Sequence, residues 1–164
     1  MIYVLGYHGK SLISKTITKW TFAGAGGTSH VSLVNGRTLM EIEAWHKGGV
    51  LPEHPVGSLH TPGTPATIYR IHASTQRQYA IWRKAHEYVG KGYDFAGIMG
   101  LLRRRDKQDP GKVFCSELVD ECEKAAGLKT LNLPSHKITP MLTCAMPIHI
   151  EIGKWITGRP WPEL

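Results

Sequence analysis

Cysteine is scarce in this chain of 164 residues, with three in all. Cys115 and Cys122 stand seven apart on one expected helix, about 10 Å along its axis at about 1.5 Å per residue, too far to bridge. A Cys122–Cys144 bond stays open, but no disulfide framework follows, which suits a reducing compartment or indifference to one. Metal-binding spacings are also missing. No two histidines or cysteines lie three or four apart, and neither HExxH nor CxxC occurs, so the spacing calls for no metal and nothing implies a cofactor. The N-terminal MIYVLGYHGK lacks a charged leader, a long apolar core and a small-residue cleavage site, so no signal peptide is expected. No apolar run approaches the roughly 20 residues that span a bilayer. Acidic residues are outnumbered, 13 against 20 Lys and Arg, for a formal net charge of +7. That balance fits an anionic partner or surface. With no zinc-finger spacing, basic zipper or aromatic RNA-binding motif, nucleic acid is not the expected partner. Teichoic acid, a membrane face, an anionic peptide or plain solvent suits the charge equally well.

What is present divides into periodic segments separated by glycine and proline, as expected of one domain over residues 1–164. Residues 2–7 are a short apolar strand. Ser11 can cap a helix over 12–22, and GAGGTS follows as a connector without the lysine of a phosphate-binding loop. SHVSLVN (29–35) alternates as a strand, Asn35-Gly36 signals a hairpin, and TLMEIEAW (38–45) is the returning strand. A Gly-Gly turn occupies 46–50. Residues 51–65, with four prolines, form a long surface loop bordering a cleft. Residues 66–72 alternate again, and Ser74 caps an amphipathic helix over 75–89 with Ile81, Trp82, Ala85, Tyr88 and Val89 inward. YDFAGIMGLL (93–102) predicts a short apolar helix, followed by Arg103, Arg104 and Arg105, a basic cluster suited to an anionic or membrane surface. Residues 131–140 are a proline-bounded connector, 146–152 a last strand, and the rest a tail docked through Trp155 and Trp161. Strands early and late with helices between them predict an α+β fold on an antiparallel sheet.

The chemistry centres on KVFCSELVDECEKAAGL (112–128). An extended lead-in runs into a helix with Cys115 at its mouth and Leu118, Val119, Cys122, Ala125 and Ala126 on one apolar face. Ser116 and Glu117 in the first turn suit the free N–H groups and the dipole, and Gly127 terminates. A cysteine at a helix N-terminus is favoured as thiolate, though a free cysteine is more often a small buried core residue. A base is needed to make it a nucleophile, and His30 opens a strand directly after a glycine-rich loop. Glu41 and Glu43, two apart on the returning strand, project from one face, and one of them is expected to orient the imidazole. Backbone N–H groups at the helix start, that of Cys115 included, can hold an oxyanion.

Taken together, SHVSLVNG, EIEAW with GGV, GKGYDFAGIMG and FCSELVDECEKAAGL resemble the NlpC-type papain-like superfamily. The order, histidine before cysteine, resembles its circularly permuted YiiX-like branch, related to lecithin:retinol acyltransferase. The resemblance implies a small antiparallel sheet or open barrel packed by helices, with Cys115 as nucleophile and His30 as general base. The third position in that branch is commonly Glu-Ala, which Glu43-Ala44 matches better than Glu41-Ile42; Glu41 is the reserve. Tyr93, in the YDF stretch, is implied to line the site for substrate, and a core tyrosine explains it equally well. Such proteins cleave peptide or amide bonds, often in cell-wall peptides, or move acyl groups through a thioester. The expected function is therefore a thiol hydrolase acting on an amide bond, that of a peptidoglycan-type peptide. Rival readings are a lipid-directed acyltransferase or thioesterase and a non-enzymatic binding module. Without a leader, a cytoplasmic or phage-delivered protein is expected.

Overall fold

A computed structural model describes residues 1–9, 27–94, 109 and 111–164. The expected helix over 12–22, most of the glycine-rich loop, residues 95–102 and the Arg103–Arg105 cluster lie outside them.

In chain order, β1 (Ile2–Tyr7), β2 (His30–Asn35) and β3 (Met40–Ile42) are followed by two short strands, β4 (Ala44–Trp45) and β5 (Gly49–Val50). Then come β6 (His54–Pro55), β7 (Pro65–Ile71), α1 (Thr75–Tyr88), β8 (Gly92–Tyr93) and β9 (Lys112–Val113). Helix α2 (Cys115–Ala125), a 3-10 turn at Ser135–Lys137, α3 (Pro140–Cys144) and β10 (His149–Ile156) complete the described elements. Six strands form one sheet in the order β10-β7-β1-β2-β3-β6, every neighbour antiparallel. The α+β class with a mostly antiparallel sheet is thus observed. Among the described residues, no helix is long and apolar enough to cross a membrane.

Period-2 alternation sorts the sheet's side chains into two layers. Val4, Val31, Leu33, Ile42 and Ile71 meet Ile81, Ala85, Leu118, Val119 and Cys122 of the helices. Leu5, Tyr7, Val34, Ala66 and Ile68 face the other way, under Trp155 and Trp161. Central β1, covered on both faces, is buried throughout. Full burial of a side chain such as Leu118 contributes about 1.5–3 kcal/mol.

Helix α2 starts where extended Phe114 (φ −108°, ψ 173°) turns into the helix. The Glu117 carboxylate accepts from the Phe114 N–H at 3.3 Å. Ser116 does not serve the helix end; its hydroxyl donates to the Ile138 carbonyl at 2.7 Å. At the far end, Gly127 takes φ 72°. The Leu128 N–H reaches Glu123 O and the Gly127 N–H reaches Lys124 O, a Schellman closure. Ala125 is exposed rather than part of the apolar face, and buried Asp120 and Glu123 extend the inner side instead.

Glu123 is accommodated because His149 Nε2 meets its Oε1 at 2.6 Å, while His149 Nδ1 meets Thr143 O. Both ring nitrogens face acceptors, so the pair holds an extra proton; burial opposes the charge on His149, but Glu123 outweighs it and raises its pKa. Because both partners are fully buried, His149→Ala is expected to destabilise the fold by about 3–5 kcal/mol, the usual cost of orphaning one member of a buried pair. Urea denaturation measures it. As the raised His149 pKa requires, the wild-type advantage is full below the unfolded imidazole value of about 6.5 and is lost as pH rises through the folded value.

Four expectations are corrected. TLMEIEAW is not one strand: β3 ends at Ile42, Glu43 O accepts from the Leu51 N–H, and Ala44–Trp45 pairs with Gly49–Val50 in a separate ribbon. Gly49 makes that possible, since at φ 78° a Cβ would lie 1.9 Å from Lys91 O. The β2–β3 turn is wider than an Asn-Gly hairpin, with Asn35 paired to Met40 and the positive φ at Leu39. Gly36 is needed there for the Tyr3 ring, 2.2 Å from where its Cβ would sit. Tyr93 belongs to a short parallel pairing with Val113, not to a helix. The last strand begins at His149 and runs to Ile156, because residues 140–144 form α3 and a bulge between Glu151 and Gly153 keeps the ladder on β7. Trp155 is therefore a buried strand residue with Trp161 against it, ring centroids 5.3 Å apart.

Candidate functional site

Three separate elements converge at one end of the sheet. His30 is the first residue of β2, paired with Tyr7 across the ladder. Glu43 sits at the break between β3 and β4. Cys115 is the first residue of α2, which lies against β2. His30 Nε2 is hydrogen-bonded to Glu43 Oε2. Cys115 lies close enough to the same imidazole for each to shift the other's ionisation, and the Val31 and Ser116 N–H groups act on the thiol in the same direction as His30.

Burial alone would suppress every charge here, and the partners reverse it. Burial works against the His30 cation, yet Cys115 and Glu43 carry its pKa well above the ordinary imidazole value. Burial raises the Cys115 thiol, but His30 and the two N–H groups bring it below the ordinary thiol value. Burial also opposes the Glu43 carboxylate, and His30, then the His54 and His60 hydrogen bonds, hold it well below the ordinary range. The three shifts run in the direction that favours an imidazolium with a thiolate and a carboxylate as neighbours. The other cysteines lack this setting: burial pushes Cys144 up to about 11 and Cys122 well above its ordinary value. All three thiols are free, so Cys122 and Cys144 are not joined.

Glu41 lies beside Glu43, fully buried, with its carboxylate accepting from Tyr7 Oη at 2.7 Å and from the Gly57 N–H at 2.7 Å. Burial and the Glu43 charge raise it to about 7. Tyr93 is partly buried and pairs with Val113, two residues before Cys115; burial, Cys115 and Glu43 all hold its hydroxyl protonated. Of the two glutamates, Glu43 is the one bonded to His30.

Sequence reasoning passed over His54 and His60 as loop histidines. Here β6 pairs with β3 so that His54 stands opposite Glu41. His54 Nε2 meets Glu43 Oε1 at 3.1 Å, and His60 Nε2 meets Glu43 Oε2 at 3.3 Å. Tyr7 stacks on His60 with centroids 3.6 Å apart, and Trp45 stands edge-on to His30 at 5.5 Å. The proline-rich loop does border the site, but its register on β3 is a long-range fact with no local signature. Two overlapping groups, His30–Glu43–His60 and Glu41–Glu43–His54, each bring three possible metal-ligand atoms within 4.8 Å of one another. Compared with protein-family models and with curated proteins, the chain gives no match to either.

Proposed function

We propose that the protein is a thiol hydrolase of the permuted papain-like type, cleaving an amide bond through an acyl-enzyme. The observation that supports this reading is the gathering of Cys115, His30 and Glu43 from a helix start, a strand start and a strand break, with Glu43 bonded to His30 and Cys115 electrostatically coupled to it. In the first step the Cys115 thiolate attacks the amide carbonyl, forming the C–S bond. The Cys115 N–H, one of the helix N–H groups with no partner inside the helix, is the natural donor to the oxyanion. Collapse expels the amine, which takes the proton held by His30. Water then attacks the thioester, His30 accepts its proton, and the C–S bond breaks to release the acid and restore the thiolate beside the protonated His30. Glu43 keeps the imidazole in one tautomer and supports its charge throughout.

A peptidoglycan-type stem peptide is the proposed substrate, with the basic chain suited to an anionic polymer and Tyr93 as a lining group. Acyl transfer to another acceptor uses the same first half-reaction and differs only in what attacks the thioester. The test is mass spectrometry of muropeptides and of a lipid thioester after incubation with wild type and Cys115→Ala. New amide-cleavage fragments in wild type and none in the variant are expected. Cleavage persisting in Cys115→Ala refutes the assignment, and turnover of the thioester alone replaces it with the acyltransferase or thioesterase reading.

A further inference from the structure

We infer that Glu41, Glu43 and His54 form a binding site for one divalent metal ion of the zinc class, which shares Glu43 with His30 and does not include Cys115. Glu41 and Glu43 are adjacent, fully buried carboxylates. A dication held by both offsets the charge of two neighbouring buried carboxylates. The spacing suits the ion. Ligand atoms about 2.0–2.2 Å from a tetrahedral zinc stand about 3.3–3.5 Å from one another. His54 Nε2 lies 3.1 Å from Glu43 Oε1 and 3.8 Å from Glu41 Oε2, and all three lie within 4.8 Å. Shifts of a few tenths of an ångström bring them to bonding geometry.

The outer partners are in place as well. Metal-bound histidines usually give their other N–H to a carbonyl or carboxylate, and bound carboxylates are themselves hydrogen-bonded. His54 Nδ1 meets Pro52 O at 2.9 Å, which fixes the proton there and directs Nε2 at the two glutamates. Glu41 Oε1 accepts from Tyr7 Oη. Glu43 Oε2 is bonded to His30 and lies 3.3 Å from His60 Nε2, leaving Oε1 to face His54. Glu41 Oε2, the oxygen facing His54, also accepts from the Gly57 N–H at 2.7 Å, which holds it in place and leaves it a second lone pair for the ion. The alternative group, His30–Glu43–His60, offers one carboxylate instead of two and takes its histidine from Cys115, so it is the poorer site. On binding, the proton that His54 Nε2 shares with Glu43 leaves to solvent, and a water completes the coordination. A mixed set of two carboxylate oxygens and one imidazole, buried and compact, suits zinc better than calcium or magnesium, which favour oxygen ligands.

The experiment is equilibrium dialysis of zinc against the full chain, with the cobalt(II) absorption spectrum as a second readout. One equivalent of zinc is expected in wild type and equally in Cys115→Ser. Affinity is expected to fall at least about a hundredfold in His54→Ala and in Glu41→Gln, since loss of outer partners alone costs about 10–100-fold. The cobalt spectrum, which needs no variant, is expected to lack a thiolate charge-transfer band. Substoichiometric zinc in wild type, or a thiolate band that disappears in Cys115→Ser, overturns the site. Neither result depends on whether the protein hydrolyses anything.

Discussion

In His30→Ala, labelling of Cys115 by iodoacetamide at pH 6 is expected to fall by about a hundredfold or more, while Cys122 and Cys144 stay inert in both proteins. The thiolate is the species that reacts. An ordinary thiol with a pKa of about 8.5 is only about 0.3% ionised at pH 6. In the wild-type site the imidazolium and the Val31 and Ser116 N–H groups hold Cys115 below that range. The reactive form is therefore expected to persist to lower pH than in an ordinary thiol and to be lost as pH falls through the lowered value. Remove His30 and the largest remaining influence is burial, which pushes the thiol up. The labelling profile then moves to higher pH, past that of a free thiol. Residue-resolved mass spectrometry across pH separates the three cysteines, and Cys122 and Cys144, both held up by burial, serve as internal references. If Cys115 tracks those two in wild type, the enzyme reading fails, whatever becomes of the fold.

Replacing Glu43 is expected to have the largest effect on stability. Its carboxylate is the common acceptor for His30, His54 and His60. His54 faces acceptors with both nitrogens, Pro52 O on one side and Glu43 on the other. Glu43→Ala leaves these imidazoles without their acceptor in a buried place, at a cost of about 3–5 kcal/mol. Glu43→Gln keeps the shape and one acceptor oxygen, so the fold is expected to survive with a smaller loss. Its low-pH Cys115 reactivity is expected to drop, because a neutral amide gives the His30 cation less support. The pH dependence has a fixed sign. Glu43 is held below its ordinary value, so its contribution is complete above the unfolded glutamate pKa of about 4.3 and is lost as pH falls through the folded value. Denaturation of wild type and Glu43→Gln is therefore expected to converge toward acid. A gap that widens toward acid contradicts the ionised form of Glu43.

Much of the fold is legible locally. The apolar run of residues 2–7, the alternation of 29–35 and 66–72 and the capped helix at Ser74 need only the pattern of neighbouring residues, and the structure has those elements within a residue or two. The Cys115 helix with its Gly127 closure is equally local. Period 2 sufficed to put Glu41 and Glu43 on one face, since successive strand side chains alternate by geometry alone. It could not say that the face is buried. That depends on β6 closing over the edge of β3, and on Tyr7 and Gly57 reaching Glu41 from elsewhere in the chain. The break at Glu43 was invisible for the same reason, because it answers to Leu51 and to the close approach of Lys91 on Gly49.

By itself, then, the sequence determined the α+β class, the bounds of β1, β2, β7, α1 and α2 to within a residue or two, and a histidine-first, cysteine-last order of reactive groups. Only the tertiary structure decided that Glu43 is the carboxylate bonded to His30, and that His54 and His60 gather on it. Local pattern sets which face a residue occupies, because that follows from backbone periodicity. Which residues share a buried site follows from the pairing of strands far apart in sequence, and from the partners needed to hold charge away from water.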